Sequence, residues 1–152
     1  MTFKEITMDY KIGLAAIAIL AAEVASNTWA SDSTVRAEEA LIVQGNKHWE
    51  EGHLGDAQKS FEQAVVADPS SIDAHMKLGG LQLSNRSYAV AIRTYQRTIS
   101  LDRNNAKAWM GLGMAYLHSG QHELSRAAFG EAVRADPSRK AQLAPLLVER
   151  AG

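Results

Sequence analysis

Residues 106–139 read AKAWMGLGMAYLHSGQHELSRAAFGEAVRADPSR, and this stretch decides the fold. It holds two apolar-periodic runs, each of about 14 residues, which is the length and period of a helix. Gly120 breaks the chain between them. The expected pair is therefore a helix over 106–119, a turn, and a helix over 122–135. Asp136-Pro137-Ser138 closes the stretch, and the same triplet stands at Asp68-Pro69-Ser70. Working outward at a period of 34 residues, two more blocks fall into register at 38–71 and 72–105. The expected architecture is all-α, three tandem helical hairpins.

The blocks share features that need a physical reason. Gly45, Gly79 and Gly113 occupy one common position inside a helix, where glycine costs about 1 kcal/mol relative to alanine. A missing side chain lets the second helix approach, and small Ala57, Ala91 and Ser125 suit the facing side. Phe61, Tyr95 and Phe129 are expected to fill the space between hairpins, and Trp109 to be wedged between the helices of the third. Ser70, Asn104 and Ser138 recur where an N-cap is needed. Residues 140–150, within a C-terminal segment of 140–152, are expected to form a capping helix over the last hairpin. Pro145 would kink that helix or restart it.

The aligned residues resemble the tetratricopeptide repeat (TPR). Its pattern of Trp-x-x-Leu-Gly-x-x-Tyr, Ala-x-x-x-Phe-x-x-Ala and Pro appears in the third block as Trp109, Leu112, Gly113, Tyr116, Ser125, Phe129, Ala132 and Pro137. The first block keeps Gly45, Ala57, Phe61, Ala64 and Pro69, with Leu41, Gln44 and His48 at the Trp, Leu and Tyr positions. The second keeps Leu78, Gly79 and Ala91, has Tyr95 in place of Phe, and departs at His75, Gln82, Thr98 and Arg103. The resemblance implies a right-handed superhelical α-solenoid whose concave groove binds extended or helical peptides. It places the groove at Glu39, Ile42, Val43, Asn46 and Trp49, at Asp73, Met76, Lys77, Gly80 and Leu83, and at Lys107, Met110, Gly111, Met114 and Leu117. The family's clamp for a carboxylate-ended peptide is matched at Asn46 and Lys107 but not at Ile42, Lys77 or Gly111. What remains is a groove rich in methionine, whose flexible thioethers suit apolar shapes. Met76, Met110 and Met114 are expected to form one apolar strip flanked by Lys77 and Lys107.

Composition narrows the function. Net charge is −1 in 152 residues, which argues against a nucleic-acid partner. The absence of cysteine excludes disulfides, a cysteine nucleophile and Cys-ligated zinc. Charge is nevertheless uneven: the segment from Met1 to Asp73 sums to −7 and the remainder to +6. Arg93 and Arg97, one turn apart, belong to the outer helix layer and suit a solvated face. His118 and His122 have the spacing of a metal pair, but Gly120 separates them at the turn. Gly111-Leu112-Gly113 lies inside a helix, whereas a nucleotide-binding loop needs a strand before it. His48 and His75 stand at aromatic positions of the repeat and read as packing substitutes. No catalytic constellation, cofactor or metal is expected.

Residues 12–22 (IGLAAIAILAA) follow Lys11 and are too few to span a bilayer, which needs about 20. They fit the apolar part of a secretory signal spanning residues 1–30, with Thr28-Trp29-Ala30 as a small-x-small exit and residues 31–37 as a linker. The alternatives are an inner-membrane anchor over residues 12–30 and a helix packed on the repeats. The expected protein is an exported, periplasmic adaptor for a protein or peptide partner, with membrane association through the N-terminal segment in the anchor case. The other expectation is a self-assembling scaffold, a homo-oligomer joined through oppositely charged ends.

Overall fold

In the computed structural model, residue 33 and residues 35–147 are described. The expected signal or anchor segment, part of the expected linker and residues 148–152 of the expected cap lie outside the described residues. The chain divides into two compact units, Met1–Ala37 and Glu38–Gly152, and the second carries the repeats.

The helices run in chain order. The described part of α1 covers residues 35–50. It is followed by α2 (Leu54–Ala67), α3 (Ile72–Ser84), α4 (Tyr88–Leu101), α5 (Ala106–His118) and α6 (His122–Ala135), then by a 3-10 turn (Pro137–Arg139) leading into α7 (Lys140–Leu147). The 34-residue period thus gives three hairpins, α1–α2, α3–α4 and α5–α6, and α7 closes the stack. The repeat array is a right-handed superhelical α-solenoid. Within the array α3 touches α5, whereas α2 does not reach α4 and α4 does not reach α6. The first helices of the hairpins therefore crowd the inner, concave face, and the second helices splay on the outer one.

The repeat glycines work as close-approach sites. A Cβ at Gly45 would lie 2.5 Å from the Phe61 ring, and one at Gly113 would lie 2.6 Å from Phe129. Each ring sits first on the glycine of its own hairpin rather than simply filling the gap to the next one. Phe61 and Phe129 are almost wholly buried; such burial stabilises by about 1.5–3 kcal/mol per side chain. Phe61 then meets Leu78 and Leu81 of the second hairpin, and Phe129 meets Leu143 of α7. Trp109 differs from its expected place: it is half-buried, bridging the Tyr95–Leu112 cluster and the Phe129–Leu143 cluster. Its Nε1 donates to the Arg103 carbonyl at 2.9 Å, and that polar edge keeps the ring at the margin.

The N-caps of α3 and α5 fall one residue later than the sequence suggests, and Asp136, not Ser138, caps the 3-10 turn. Ser71 and Asn105 accept from the Ala74 and Ala108 amides. The amides of Ser70, Asn104 and Ser138 instead donate to Asp68, Asp102 and Asp136 at 2.9, 3.0 and 3.1 Å. An Asp side chain that captures the amide two residues on makes a local turn, so the helix begins beyond it. The Ser70 and Ser138 hydroxyls also donate to these carboxylates and, as the largest cause, hold Asp68 and Asp136 below the usual carboxylate range. At the far end, α7 runs through Pro145 without interruption.

Departures from the repeat pattern are satisfied internally. The Ser125 hydroxyl donates to the Gly113 carbonyl at 2.9 Å, tying α6 to α5. Thr94 donates to Gln82 at 2.7 Å across α3 and α4. Thr98 returns its hydroxyl to the Thr94 carbonyl. His75 is buried with Nδ1 2.8 Å from the Ser71 carbonyl oxygen, a packing substitute for the aromatic.

Candidate functional site

The inner face is built on α1, α3 and α5, and its floor is set by two positions without side chains. At Gly80 a Cβ would stand 3.4 Å from the tip of the Trp49 indole and 4.0 Å from the Tyr95 hydroxyl. At Gly111 it would stand 2.3 Å from the Tyr95 ring, so this ring lies directly on the α5 backbone. Trp49 itself is held edge-on to Phe61, with centroids 6.1 Å apart. The result is a shallow centre floored by an indole tip, two glycines and a phenol edge. Tyr95 is 4% exposed, and its hydroxyl makes no hydrogen bond among the described residues. Burial pushes that hydroxyl up to about 12.

Sequence reasoning placed Tyr95 in the core and did not name it as a site residue. The signal was present: the equivalent positions are Phe61 and Phe129, and only the middle repeat adds a hydroxyl.

The residues expected in the groove separate into two groups. Asn46, Trp49, Met76, Lys77, Gly80 and Leu83 are all half-buried around the centre. Met76 and Leu83 pack on the cluster that contains Tyr95 and Leu112. Met110 and Met114 belong instead with Phe129, Leu143, Leu146 and Leu147, beneath the capping helix. Arg139 also donates to the Met110 sulfur at 3.1 Å. Leu117 lines a cleft of about 630 Å³ with His122, Arg126, Pro145 and Leu146. The three methionines therefore serve two packing neighbourhoods. Ile42 is buried in the core with Ala64 and Ala74. Glu39, Val43, Asp73 and Lys107 are exposed. Neither Asn46, Lys77 nor Lys107 has an ion-pair or side-chain hydrogen-bond partner among the described residues.

The histidines are also distributed. His118 stacks on Tyr88, with centroids 5.3 Å apart and planes 14° from parallel, so it does not pair with His122. His48 is half-buried at the end of α1. Its Nδ1 is buried without a hydrogen-bond partner, and it gathers with Glu51 and His53.

Comparison with known proteins agrees with this fold. The Tetratricopeptide repeat family model matches residues 42–106 and 81–140. Among curated proteins, the chain is similar to peptidyl-prolyl cis-trans isomerase FKBP4 of Bos taurus, 28% identical over 143 residues, covering 83% of this chain and 31% of that protein. The chain thus spans about a third of the length of this relative. Among solved structures, it is similar to the Yersinia enterocolitica type III secretion chaperone SycD in complex with a peptide of the translocator YopD. That match has a TM-score of 0.67 and 19% identity, over 72% of this chain and 88% of the other. The crystal structure of MamA is similar with a TM-score of 0.62 and 29% identity, over 66% of this chain and 58% of the other. Three in-phase hairpins, glycines seated on aromatic rings and a family model spanning the array lead to one conclusion: the chain belongs to the tetratricopeptide repeat family.

Proposed function

We propose that this protein is a non-catalytic adaptor whose concave face binds a peptide segment of a protein partner across Trp49, Gly80, Tyr95 and Gly111. The observation that carries the reading is the pairing of an aromatic floor with unpartnered polar groups. Gly80 and Gly111 let the Trp49 tip and the Tyr95 ring come up to the inner face, and the Tyr95 hydroxyl lies beside Gly80 without an internal partner. A peptide carbonyl placed there would accept a hydrogen bond from that hydroxyl. Asn46, Lys77 and Lys107 add donors around an apolar centre made by Trp49, Met76 and Leu83. An amphipathic segment with an acidic side chain fits this set. The SycD structure, with its YopD peptide, supports the mode of binding.

Export belongs to the same proposal: the apolar run of residues 12–22 and its small-x-small exit support a partner in the cell envelope. Sequencing the N-terminus of protein from its native host tests that part, and an intact cytosolic form would defeat it.

Binding is tested by selecting peptides from a randomised display library on the wild-type protein. Their affinity is then measured for Gly80→Gln and for Arg93→Glu on exposed outer α4. A side chain at position 80 fills the floor, so the first change weakens binding at least about tenfold, as loss of an interface hot spot does. The second leaves it intact. The reverse pattern places the ligand on the outer basic helices. Lys77 and Tyr95 are the next positions to vary. Met110 and Met114 are poorer probes, since they also anchor α7.

A further inference from the structure

We infer that His48, Glu51 and His53 form a binding site for a zinc-class divalent metal at the tip of the first hairpin, independent of the peptide groove. The backbone brings the three together. Gly52, at φ +80°, ends α1 in the left-handed conformation; its amide donates to the Trp49 carbonyl at 3.0 Å, and the His53 amide donates to the His48 carbonyl at 2.8 Å. These two bonds are the Schellman closure of a helix, and they hold the first and sixth residues of the turn side by side. The same closure recurs from Ser87 to Gln82 and from Gln121 to Tyr116. Every hairpin thus offers three clustered positions at this tip. In the second they are Gln82, Asn85 and Ser87, and in the third Tyr116, Ser119 and Gln121. Only the first hairpin fills them with two imidazoles and a carboxylate.

The distances suit a metal. Glu51 Oε2 lies 3.5 Å from His53 Nδ1 and 3.9 Å from His48 Nδ1, and the three ligand atoms all fall within 4.8 Å of one another. Tetrahedral ligands about 2.0–2.2 Å from zinc stand about 3.3–3.6 Å apart. One edge already fits, and small rotations of the His48 and His53 side chains close the others. Neither imidazole is committed elsewhere: His48 Nδ1 is buried without a partner, and the His53 side chain makes no capping bond to α2. Lys47 approaches the other Glu51 oxygen at 4.0 Å, leaving Oε2 for the ion. Two imidazoles with one carboxylate select zinc, cobalt, nickel or copper over magnesium and calcium, which prefer all-oxygen sets. Three protein ligands leave a fourth position for water.

The test is calorimetric titration of the untagged full chain with zinc and with magnesium. We expect one zinc per chain and no magnesium uptake. His53→Ala and Glu51→Gln, both on exposed turn side chains, weaken zinc binding at least about tenfold, the scale on which even supporting groups around a metal act. Each keeps the metal-free helical spectrum, and zinc raises the thermal midpoint of the wild type but not of these variants. His122→Ala leaves the affinity unchanged. A wild type that takes up no zinc overturns the inference. So do His53→Ala binding as tightly as wild type, and loss of binding in His122→Ala.

Discussion

Placing alanine at two glycines of the third hairpin separates close packing from helix propensity. Gly113 lies inside α5 and Gly130 inside α6, so both substitutions gain the same intrinsic term of about 1 kcal/mol. Their surroundings differ. A Cβ at Gly130 meets nothing within 4 Å, whereas one at Gly113 lies 2.6, 2.7 and 3.0 Å from three atoms of the Phe129 ring. Carbon atoms in contact prefer about 3.5–4.0 Å, so the ring must retreat by roughly 1 Å. It has nowhere to go, being 1% exposed and packed on Ala132 and Leu143. Overpacking of this kind costs about 1–3 kcal/mol. Gly130→Ala should therefore stabilise by about 1 kcal/mol, and Gly113→Ala should be neutral to destabilising by about 2 kcal/mol. Urea denaturation reads the difference. For a slope of about 2 kcal/mol per molar, the two midpoints separate by about 0.5–1.5 M. Equal shifts in the same direction would refute the claim that the repeat glycine exists to seat the ring.

Arg86 is the one described non-glycine residue at positive φ, 60°, at the turn where the other hairpins use Gly52 and Gly120; Arg86→Gly should stabilise by about 0.5–1 kcal/mol in the same assay, part of the left-handed penalty, and destabilisation would contradict that reading. Tyr95 titrates near 12 because it is buried, above an unfolded value of about 10. A raised acid pKa stabilises the fold fully below about pH 10, and that contribution is lost as pH rises toward 12. Tyr95→Phe should abolish the late phenolate absorbance step without lowering stability at neutral pH, since no internal bond is lost; an ordinary titration near 10 would contradict the burial. The scaffold reading expects oligomers at low salt that dissociate at about 0.5 M, where the Debye length is only a few ångströms, and light scattering that finds a monomer at low salt removes it.

Much of the architecture was legible because the 34-residue period repeats glycine, aromatic and Asp-Pro-Ser signals in phase. The bounds of α6 and the break at Gly120 follow from that pattern directly. Finer placement was not legible. Asp68 and Asp102 capture the amides of Ser70 and Asn104, so Ser71 and Asn105 become the helix caps, and that exchange is settled only by geometry. The groove was legible by position, since groove positions repeat with the period. Its floor was not, because Tyr95 reaches the inner face from the helix behind it through the gap left by Gly79, Gly80 and Gly111. Periodicity also concealed the His48–Glu51–His53 cluster: the sequence compares His48 with the aromatic of other repeats, whereas the left-handed turn at Gly52 sets it beside His53.

Chemical-shift mapping of the isotope-labelled protein with a library-selected peptide tests peptide binding on the concave face most directly. Perturbations should concentrate at Asn46, Trp49, Lys77, Gly80, Tyr95 and Gly111, with little change along the exposed side of α4 at Arg93 and Arg97. Perturbations confined to Arg93, Arg97 and the outer face, with the amides of Gly80 and Gly111 unmoved, would contradict it.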